Sequence, residues 1–254
     1  MKKSIIVLGV VVVVLVIVLG GVLGWQKFFG QEVVEKEKMD VRGIVEVAKD
    51  VDTFIPSGWK ELGNAKGDLN KDGLEDEVVV AENVDYKNED GALCNNYCPR
   101  KLLVLLQEKN GGYKLSAESD KAILLADEGG IWGDPYEGIK IENGFFLISF
   151  YGGSNWRWAD SYRFRFQDGG WFMIGATSFG HFAGDECVDD KIDYNFLTGK
   201  KQEIKSNKWD RYLDLSDAEL AMPCVRKELW SDIVNNKLTN LNDFTATDFE
   251  LQKF

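Results

Sequence analysis

The chain opens with an uninterrupted apolar segment that is long enough to cross a lipid bilayer. Residues 5–25 carry no charged side chain. A helix of roughly 21 residues rises about 30 Å, which matches the hydrocarbon core of a membrane. A cleaved signal peptide usually has a shorter apolar core and a small-residue cleavage site, and the GVLGW sequence that ends this segment is a poor one. We therefore predict a retained transmembrane anchor.

The charges beside the segment predict its orientation. Lys2 and Lys3 precede it, whereas only Lys27 follows it closely. Because positively charged flanks stay on the cytoplasmic side, residues 1–4 are expected in the cytoplasm and everything after Trp25 outside it. These features predict a single-pass protein of the cell membrane with an extracytoplasmic C-terminal domain.

Four cysteines in an oxidising compartment are candidates for disulfides. Cys94 and Cys98 share one polar loop, and Cys187 and Cys224 flank the last predicted strand region. We therefore predict a local disulfide between Cys94 and Cys98 and a long-range disulfide between Cys187 and Cys224. A four-thiolate zinc site is the alternative, although the spacing lacks the paired CxxC knuckles of such sites.

The net charge of the chain is −12, which argues against a nucleic-acid partner. Binding to phosphate backbones requires a basic face, and such a face would have to overcome this negative field. Divalent cations or cationic partners fit the charge better.

The sequence beyond the anchor divides into three parts. Residues 26–53 form a predicted juxtamembrane helix or stalk, because apolar side chains recur there at helical spacing among Glu and Lys. Pro56 and Gly58 interrupt that pattern. Short strands separated by turns predict a β domain over residues 54–206, and residues 207–254 are predicted to form a C-terminal helical appendage.

Asn-Gly and Asp-Gly pairs mark the predicted hairpins of the β domain. Such pairs supply the positive φ that tight turns require. Turns are expected at residues 110–112, 143–144, 168–170 and 198–199. Strands joined in this way predict a mainly β fold with antiparallel meander, sandwich or blade-like sheets.

Three further expectations concern how the sheet is covered. The run FFLISFY at 145–151 is apolar on both faces, so this strand is predicted to be central and covered on each side. Short C-terminal helices are expected to form a second layer, one opening with a capping box of Ser216 and Glu219 and another through residues 229–233. The tail 240–254 has no clear periodicity and is expected to fray.

The stretch GDLNKDGLEDEVVV carries the most informative chemistry in the chain. Side-chain oxygens alternate along it, and calcium prefers six to eight oxygen ligands, which a tight loop directs inward. Gly73 permits the sharp turn. We predict a calcium site formed by the side chains of Asp68, Asn70, Asp72 and Asp76 and by the carbonyl of Leu74.

This stretch does not follow the EF-hand pattern. Val79 stands at the twelfth position from Asp68, where an EF-hand has glutamate. The β-branched run Val78–Val80 predicts that a strand, rather than a helix, follows the loop. A metal-free turn is the alternative, because Asp, Asn and Gly favour turns without any ion.

Together with the hairpin LLVLLQEKNGGYKLS, this stretch resembles the FG-GAP or VCBS type repeat of integrin-like β-propellers and bacterial surface proteins. The resemblance implies that the Asp-rich loop binds calcium between strands, in a bacterial membrane-anchored or secreted protein. It occurs once, whereas a propeller typically has four or more blades. Either the resemblance implies a single blade-like unit inside the β domain, or the architecture of the family does not carry over to this chain.

A Gly-rich segment, YGGSNWRWAD, is the candidate ligand-binding surface. Aromatic side chains with polar neighbours on a loop suit sugars or peptides. The predicted contacts are Tyr151, Asn155, Trp156 and Trp158. The alternative is that both tryptophans cap the core.

A second candidate segment, LLADEGGIWGDP, contains three carboxylates. Asp127, Glu128 and Asp134 are candidates for a second cation site or for an acid/base pair, with a solvated loop as the alternative. His181 is the single histidine of the chain, which excludes a two-histidine zinc hydrolase motif. No GxSxG motif accompanies it.

These patterns predict a noncatalytic, calcium-stabilised binding or envelope scaffolding module, held outside the cytoplasm by its membrane helix. A surface protein or a glycan is the expected ligand, and no catalytic residue is assigned. One rival is a carboxylate-based cell-wall or glycan hydrolase. Another is an assembly subunit that binds its partner through the membrane helix.

Overall fold

Two antiparallel sheets account for most of the chain that the computed structural model describes, which is residues 47–94, 97–247 and 249. The first sheet has five strands in the order β1-β5-β4-β3-β2: β1 (Val47–Ala48), β2 (Trp59–Gly67), β3 (Asp76–Asn83), β4 (Arg100–Gln107) and β5 (Tyr113–Ser119). The second is a seven-stranded meander: β6 (Tyr136–Glu142), β7 (Phe145–Gly153), β8 (Trp156–Gln167), β9 (Gly170–Phe182), β10 (Asp189–Asn195), β11 (Lys200–Ser206) and β12 (Arg226–Asp232). The mainly β prediction is confirmed.

The predicted hairpins form at the predicted turns. Asn143 and Gly144 have φ of 51° and 78°, and Asp168 and Gly169 repeat this pair of positive values. Two-residue turns of this kind match the right-handed twist of the strands they join. The turns at 110–112 and 198–199 likewise connect β4 to β5 and β10 to β11.

One hydrophobic core contains side chains from both sheets. The first sheet contributes alternate residues of β3 and β4, and the second contributes alternate residues of β7 and β8, because every second side chain of a strand points to the same face. Its fully buried members include Val78, Val80, Leu102, Val104, Phe146, Ile148 and Phe164. Each sheet is thus the second layer of the other, and the prediction that C-terminal helices provide that layer is wrong.

The opposite face of the first sheet has its own smaller cluster. Val79, Leu103 and Leu105 pack there with Ala48 and Phe54, which lie on β1 and on the short 3₁₀ helix Val51–Phe54. Because β3 and β4 are buried on both faces, their sequences are nearly continuous runs of Val and Leu.

Strand β7 is an interior strand, but its two faces differ. Phe146, Ile148 and Phe150 are buried in the core, whereas Phe145 and Leu147 on the other face are only partly buried. The prediction of a central strand is confirmed, whereas the predicted cover is complete only on the core face and partial on the outer face.

The C-terminal region contains a single short α-helix among the described residues. Helix α1 (Asp217–Leu220) begins with the predicted Ser216–Glu219 capping box, which is confirmed. The helix expected through residues 229–233 is wrong, because β12 occupies that region and pairs along the whole of β11. Side chains also interact across the two strands, since Lys200 Nζ lies 2.5 Å from an oxygen of Asp232. Pairing with β11 therefore overrides the apparent helical spacing of this segment.

The described part of the tail packs into the core instead of fraying, which overturns the prediction for 240–254 there. Leu241 and Phe244 are fully buried. The Leu241 N–H donates to the Trp171 carbonyl at 2.8 Å, and the Ala246 N–H donates to the Lys121 carbonyl at 2.8 Å. Isolated apolar residues in a non-periodic segment fill gaps between the sheets, which local patterning does not reveal.

Two predicted regions, the anchor and the stalk, fall wholly or mostly on residues that the structure does not describe. The predicted anchor at 5–25 and most of the predicted stalk lie outside the described residues. At Val47 and Ala48 the predicted helix is wrong, because these residues pair with Lys114 and Tyr113 as strand β1. Within the described ranges, no helix is both long and apolar enough to span a membrane.

Both predicted disulfides are present. Cys94 is bonded to Cys98, and Cys187 is bonded to Cys224. The second bond joins the segment before β10 to the segment before β12 and spans 37 residues. It holds the start of the edge strand β12 against the sheet.

Replacing Phe244 by alanine tests the role of the tail in the core. Its ring packs 4.9 Å from that of Tyr162 and 5.1 Å from that of Phe164 (centroid distances), so Phe244→Ala should lower the free energy of unfolding by about 3–5 kcal/mol. Urea denaturation followed by tryptophan fluorescence measures this change. Phe166→Ala is the matched control, because this phenylalanine is 41% exposed and its loss should cost about 1 kcal/mol or less. Equal losses in the two variants would contradict a core role for the tail.

Candidate functional site

The predicted calcium loop connects β2 to β3 and is closed by a buried carboxylate. Asp76 is fully buried, and its two oxygens accept the N–H groups of Leu69 at 2.8 Å and Gln107 at 2.9 Å. Burial raises the pKa of Asp76, and the nearby charge of Asp72 raises it further, while the amide hydrogen bonds oppose the shift. Asp76 therefore fixes the start of the loop to the end of β4.

The other oxygen side chains fold the loop back on itself. Asp68 accepts the N–H groups of Asp72 at 3.1 Å and Gly73 at 3.0 Å, and Asp72 accepts the N–H of Leu74 at 2.9 Å. Asn70 also accepts the Asp72 N–H, at 3.0 Å. Gly73 has φ of 84°, as the sharp turn requires.

The fit of this loop to calcium is mixed. Its donors are the oxygens that calcium prefers, and they recur at every second position. However, both oxygens of Asp76 are already engaged by amides, and the amide nitrogen of Asn70 donates to Asp72 at 3.0 Å. Across the described ranges, no group of three or more His, Cys, Asp or Glu side chains is arranged to hold a metal ion. The alternative of a metal-free turn therefore stays open.

The loop lies against the second sheet. A Cβ on Gly144, in the β6–β7 turn, would lie 2.7 Å from Cε of Lys71, and a Cβ on Gly67 would lie 2.6 Å from Cγ2 of Ile141. The contact with Ile141 favours glycine at position 67, and the positive φ of 78° favours glycine at position 144. Any ion that ordered the loop would consequently also affect the contact between the sheets.

The predicted ligand contacts divide between the two faces of the second sheet. Tyr151 lies on the outer face, because its neighbour Phe150 packs into the core and successive side chains of a strand alternate between the two faces. Trp156 and Trp158 lie on the opposite face, in phase with the core residue Tyr162. The structure therefore does not bring the predicted residues together.

Three side chains of the outer face form a surface that we call the Trp132 patch: Trp132, Tyr151 and Arg157. The guanidinium carbon of Arg157 lies 4.3 Å from the ring centroid of Trp132, and Arg157 Nη1 donates to the Tyr151 hydroxyl at 3.0 Å. Trp132 is 51% exposed. The patch combines an exposed tryptophan with a half-buried cation held in place, whose Nε is buried and has no hydrogen-bond partner among the described residues.

Both tryptophans of the other face make packing contacts. The ring of Trp156 lies 5.0 Å from that of Phe182 and 5.5 Å from that of Trp209. A Cβ on Gly152 would lie 2.5 Å from Cζ2 of Trp158, which packs against the core. Asn155 belongs to the β7–β8 turn, where its carbonyl accepts the Ala183 N–H at 2.8 Å.

Asp134 belongs to an ion pair rather than an acid/base pair. Arg100, which is 2% exposed, donates to its two oxygens at 2.8 and 2.5 Å. Burial opposes ionisation of Asp134, but hydrogen bonds from Arg100 and from the Tyr136 N–H outweigh it and hold its pKa below the usual value. Glu128 accepts the Leu125 N–H at 2.6 Å, and Asp127 is exposed.

Two carboxylates that the sequence analysis did not single out occupy the core-facing side of the second sheet. Asp160 pairs with Phe150 and Ser178 in register, and Asp190 pairs with Gly180. Burial raises the pKa of both groups, to about 6 for Asp190. One oxygen of each is buried and accepts no hydrogen bond from the described residues. Strand alternation from Tyr162 would have placed Asp160 on this face.

Comparison of the chain with protein-family models, curated proteins and solved structures finds no match.

Replacing Asp190 by asparagine tests the cost of its burial. Its pKa is about 6 when folded and about 3.8 as the unperturbed reference, so the folded state gains stability from this group as pH falls from 7 towards 4. The Asp190→Asn variant should therefore melt above the wild type at pH 7, and its advantage should vanish near pH 4. Melts across this range measure the difference, with the exposed Asp243→Asn as control. A difference that does not change with pH would contradict the assigned cause.

Proposed function

We propose that this chain is a noncatalytic, extracytoplasmic recognition module, anchored in the membrane by residues 5–25, that engages a surface protein or glycan through the Trp132 patch. One observation carries the proposal: Arg157 is stacked on an exposed tryptophan and has no carboxylate partner among the described residues. In a chain of net charge −12, an arginine that no acidic side chain neutralises is available to a ligand.

The chemistry of the patch suits recognition. Trp, Tyr and Arg are the residues that dominate the energy of binding interfaces. The stacking and the Tyr151 hydrogen bond hold the Arg157 side chain in place, so less rotamer entropy is lost when a ligand binds. Its cation favours an acidic group, such as a carboxylate of a protein or of an acidic sugar.

The two disulfides support the proposed compartment. Bonds of this kind persist outside the reducing cytoplasm, and the chain's described cysteines are all engaged in them. The apolar run 5–25, with Lys2 and Lys3 before it, supports attachment to the membrane with the β domain outside.

Calcium is proposed as a structural ion of the loop between β2 and β3. Asp68, Asn70, Asp72 and Asp76, with the carbonyl of Leu74, would hold it and would replace amide contacts by stronger charge interactions. Burial and, less strongly, the charge of Asp72 raise the pKa of Asp76, and a bound cation would offset that repulsion. The likeness to a single FG-GAP or VCBS type unit belongs to the same proposal.

The hydrolase alternative is weakened at Asp134, one of the three carboxylates considered for it. Asp134 is held ionised by Arg100, so it is unsuited to donate a proton to a leaving group. The binding role is therefore preferred.

Photo-crosslinking from position 132 tests the recognition surface. A photoreactive phenylalanine analogue in place of Trp132, in producing cells, should give a discrete crosslinked partner, because the patch would lie inside the interface. Adding Arg157→Ala should reduce that product by about tenfold or more. The control is the same analogue at Trp230, which is 65% exposed on the edge strand β12. The same products from both positions, or none from position 132, would contradict the proposal.

A thermal melt of the full chain in calcium and in chelator tests the ion. Calcium at ten times its dissociation constant should add about 1.4 kcal/mol to the free energy of unfolding. Asp72→Ala should abolish the shift, whereas Asp90→Ala, in another exposed loop, should retain it. A shift that survives Asp72→Ala would place the ion elsewhere.

A further inference from the structure

A separate cavity of about 500 Å³ lies on the core-facing side of the second sheet. Its walls include four aromatic side chains: Phe150, Trp158, Tyr162 and Phe249. Phe150 and Tyr162 are buried, with ring centroids 6.2 Å apart, and Phe249 stands edge-on to Tyr162 at 5.7 Å. This volume falls within the range of small-molecule sites.

The charged groups that line this cavity are both carboxylates. Asp160 lies on β8 and Glu128 lies on the segment before β6, and no lysine, arginine or histidine of the described residues lines the cavity. The Leu125 N–H occupies one oxygen of Glu128. One oxygen of Asp160 is buried and accepts no hydrogen bond from any described residue, and the pKa of this group is raised by burial. Ser178 also hydrogen-bonds to Asp160, so among the described residues the cavity holds two carboxylates between aromatic rings with no cationic side chain beside them.

We propose that this cavity binds the ammonium group of a small organic cation. Aromatic faces attract cations through their quadrupoles, and quaternary ammonium groups are recognised by aromatic cages in this way. A carboxylate beside the rings adds a charge interaction that low local polarity strengthens. Asp160 is the charged anchor, and Trp158 and Tyr162 provide aromatic walls.

An organic cation fits this cavity better than a metal ion. Calcium requires six to eight oxygen ligands, whereas the wall here is mainly aromatic and aliphatic. In the described part of the chain, no group of three acidic or other metal-ligating side chains forms here or elsewhere. The site is also independent of the Trp132 patch, because Asp160 and Arg157 point to opposite faces of β8.

Calorimetric titration with choline tests the proposal on the full chain, held in a neutral maltoside detergent that carries no ammonium group. Choline should bind with one site per chain. Its neutral isostere, with carbon in place of the ammonium nitrogen, should bind about tenfold more weakly or not at all. Equal affinity for both compounds, or no binding of choline at millimolar concentration, would overturn the proposal.

The variant Asp160→Asn separates charge from shape. It keeps the size of the side chain and removes its charge, so choline affinity should fall about tenfold or more. Asp243→Asn is the matched control, because this exposed aspartate lies outside the cavity. Unchanged affinity in Asp160→Asn would overturn the proposal. If that variant did not fold, the comparison of choline with its isostere in the wild type would decide alone.

Discussion

The packing of the two sheets around one shared core is the constraint on which the other features depend. The stacked rings of Phe146 and Phe164, 5.2 Å apart, lie at its centre, and Phe244 of the tail contacts Phe164 from a third segment. Because the core requires the even-numbered side chains of β8, the odd-numbered ones must face outward. This alternation places the side chain of Arg157 on the outer face of the sheet and that of Asp160 on the core-facing side.

Strand β8 consequently carries two opposite chemistries. Its outer face presents a cation stacked on Trp132, whereas its inner face presents a carboxylate among aromatic rings. Arg157 and Asp160 are close along the strand, but their side chains lie on opposite faces of the sheet, which separates the two charges. A recognition module with these two faces is suited to an acidic group on one side and an ammonium group on the other.

The sequence allowed the local features to be predicted. Asn143–Gly144 and Asp168–Gly169 determine their hairpins through backbone preferences that need no distant partner, and the close spacing of Cys94 and Cys98 favours their pairing. Apart from the long-range disulfide between Cys187 and Cys224, features that depend on distant contacts were missed. The segment at 229–233 has some helical spacing, but it pairs with the edge of β11 as a strand. The tail packs into gaps in the core, and no local sequence pattern shows those gaps.

At the candidate sites, Tyr151 and Trp156 are near in sequence. The alternation of side chains along their strands nevertheless places them on opposite faces of the sheet. The contact of Arg157 with Trp132 depends on the fold, and no local sequence pattern indicates it.

The proposed role requires that the β domain lie outside the cytoplasm, and thiol mapping tests this requirement most directly. The chain would be isolated from its own membranes, with free thiols alkylated before reduction, and its peptides analysed by mass. Cysteines protected from alkylation, in linked peptides joining Cys94 to Cys98 and Cys187 to Cys224, are the predicted result. Four alkylated cysteines would contradict it, because they would place the domain in a reducing compartment.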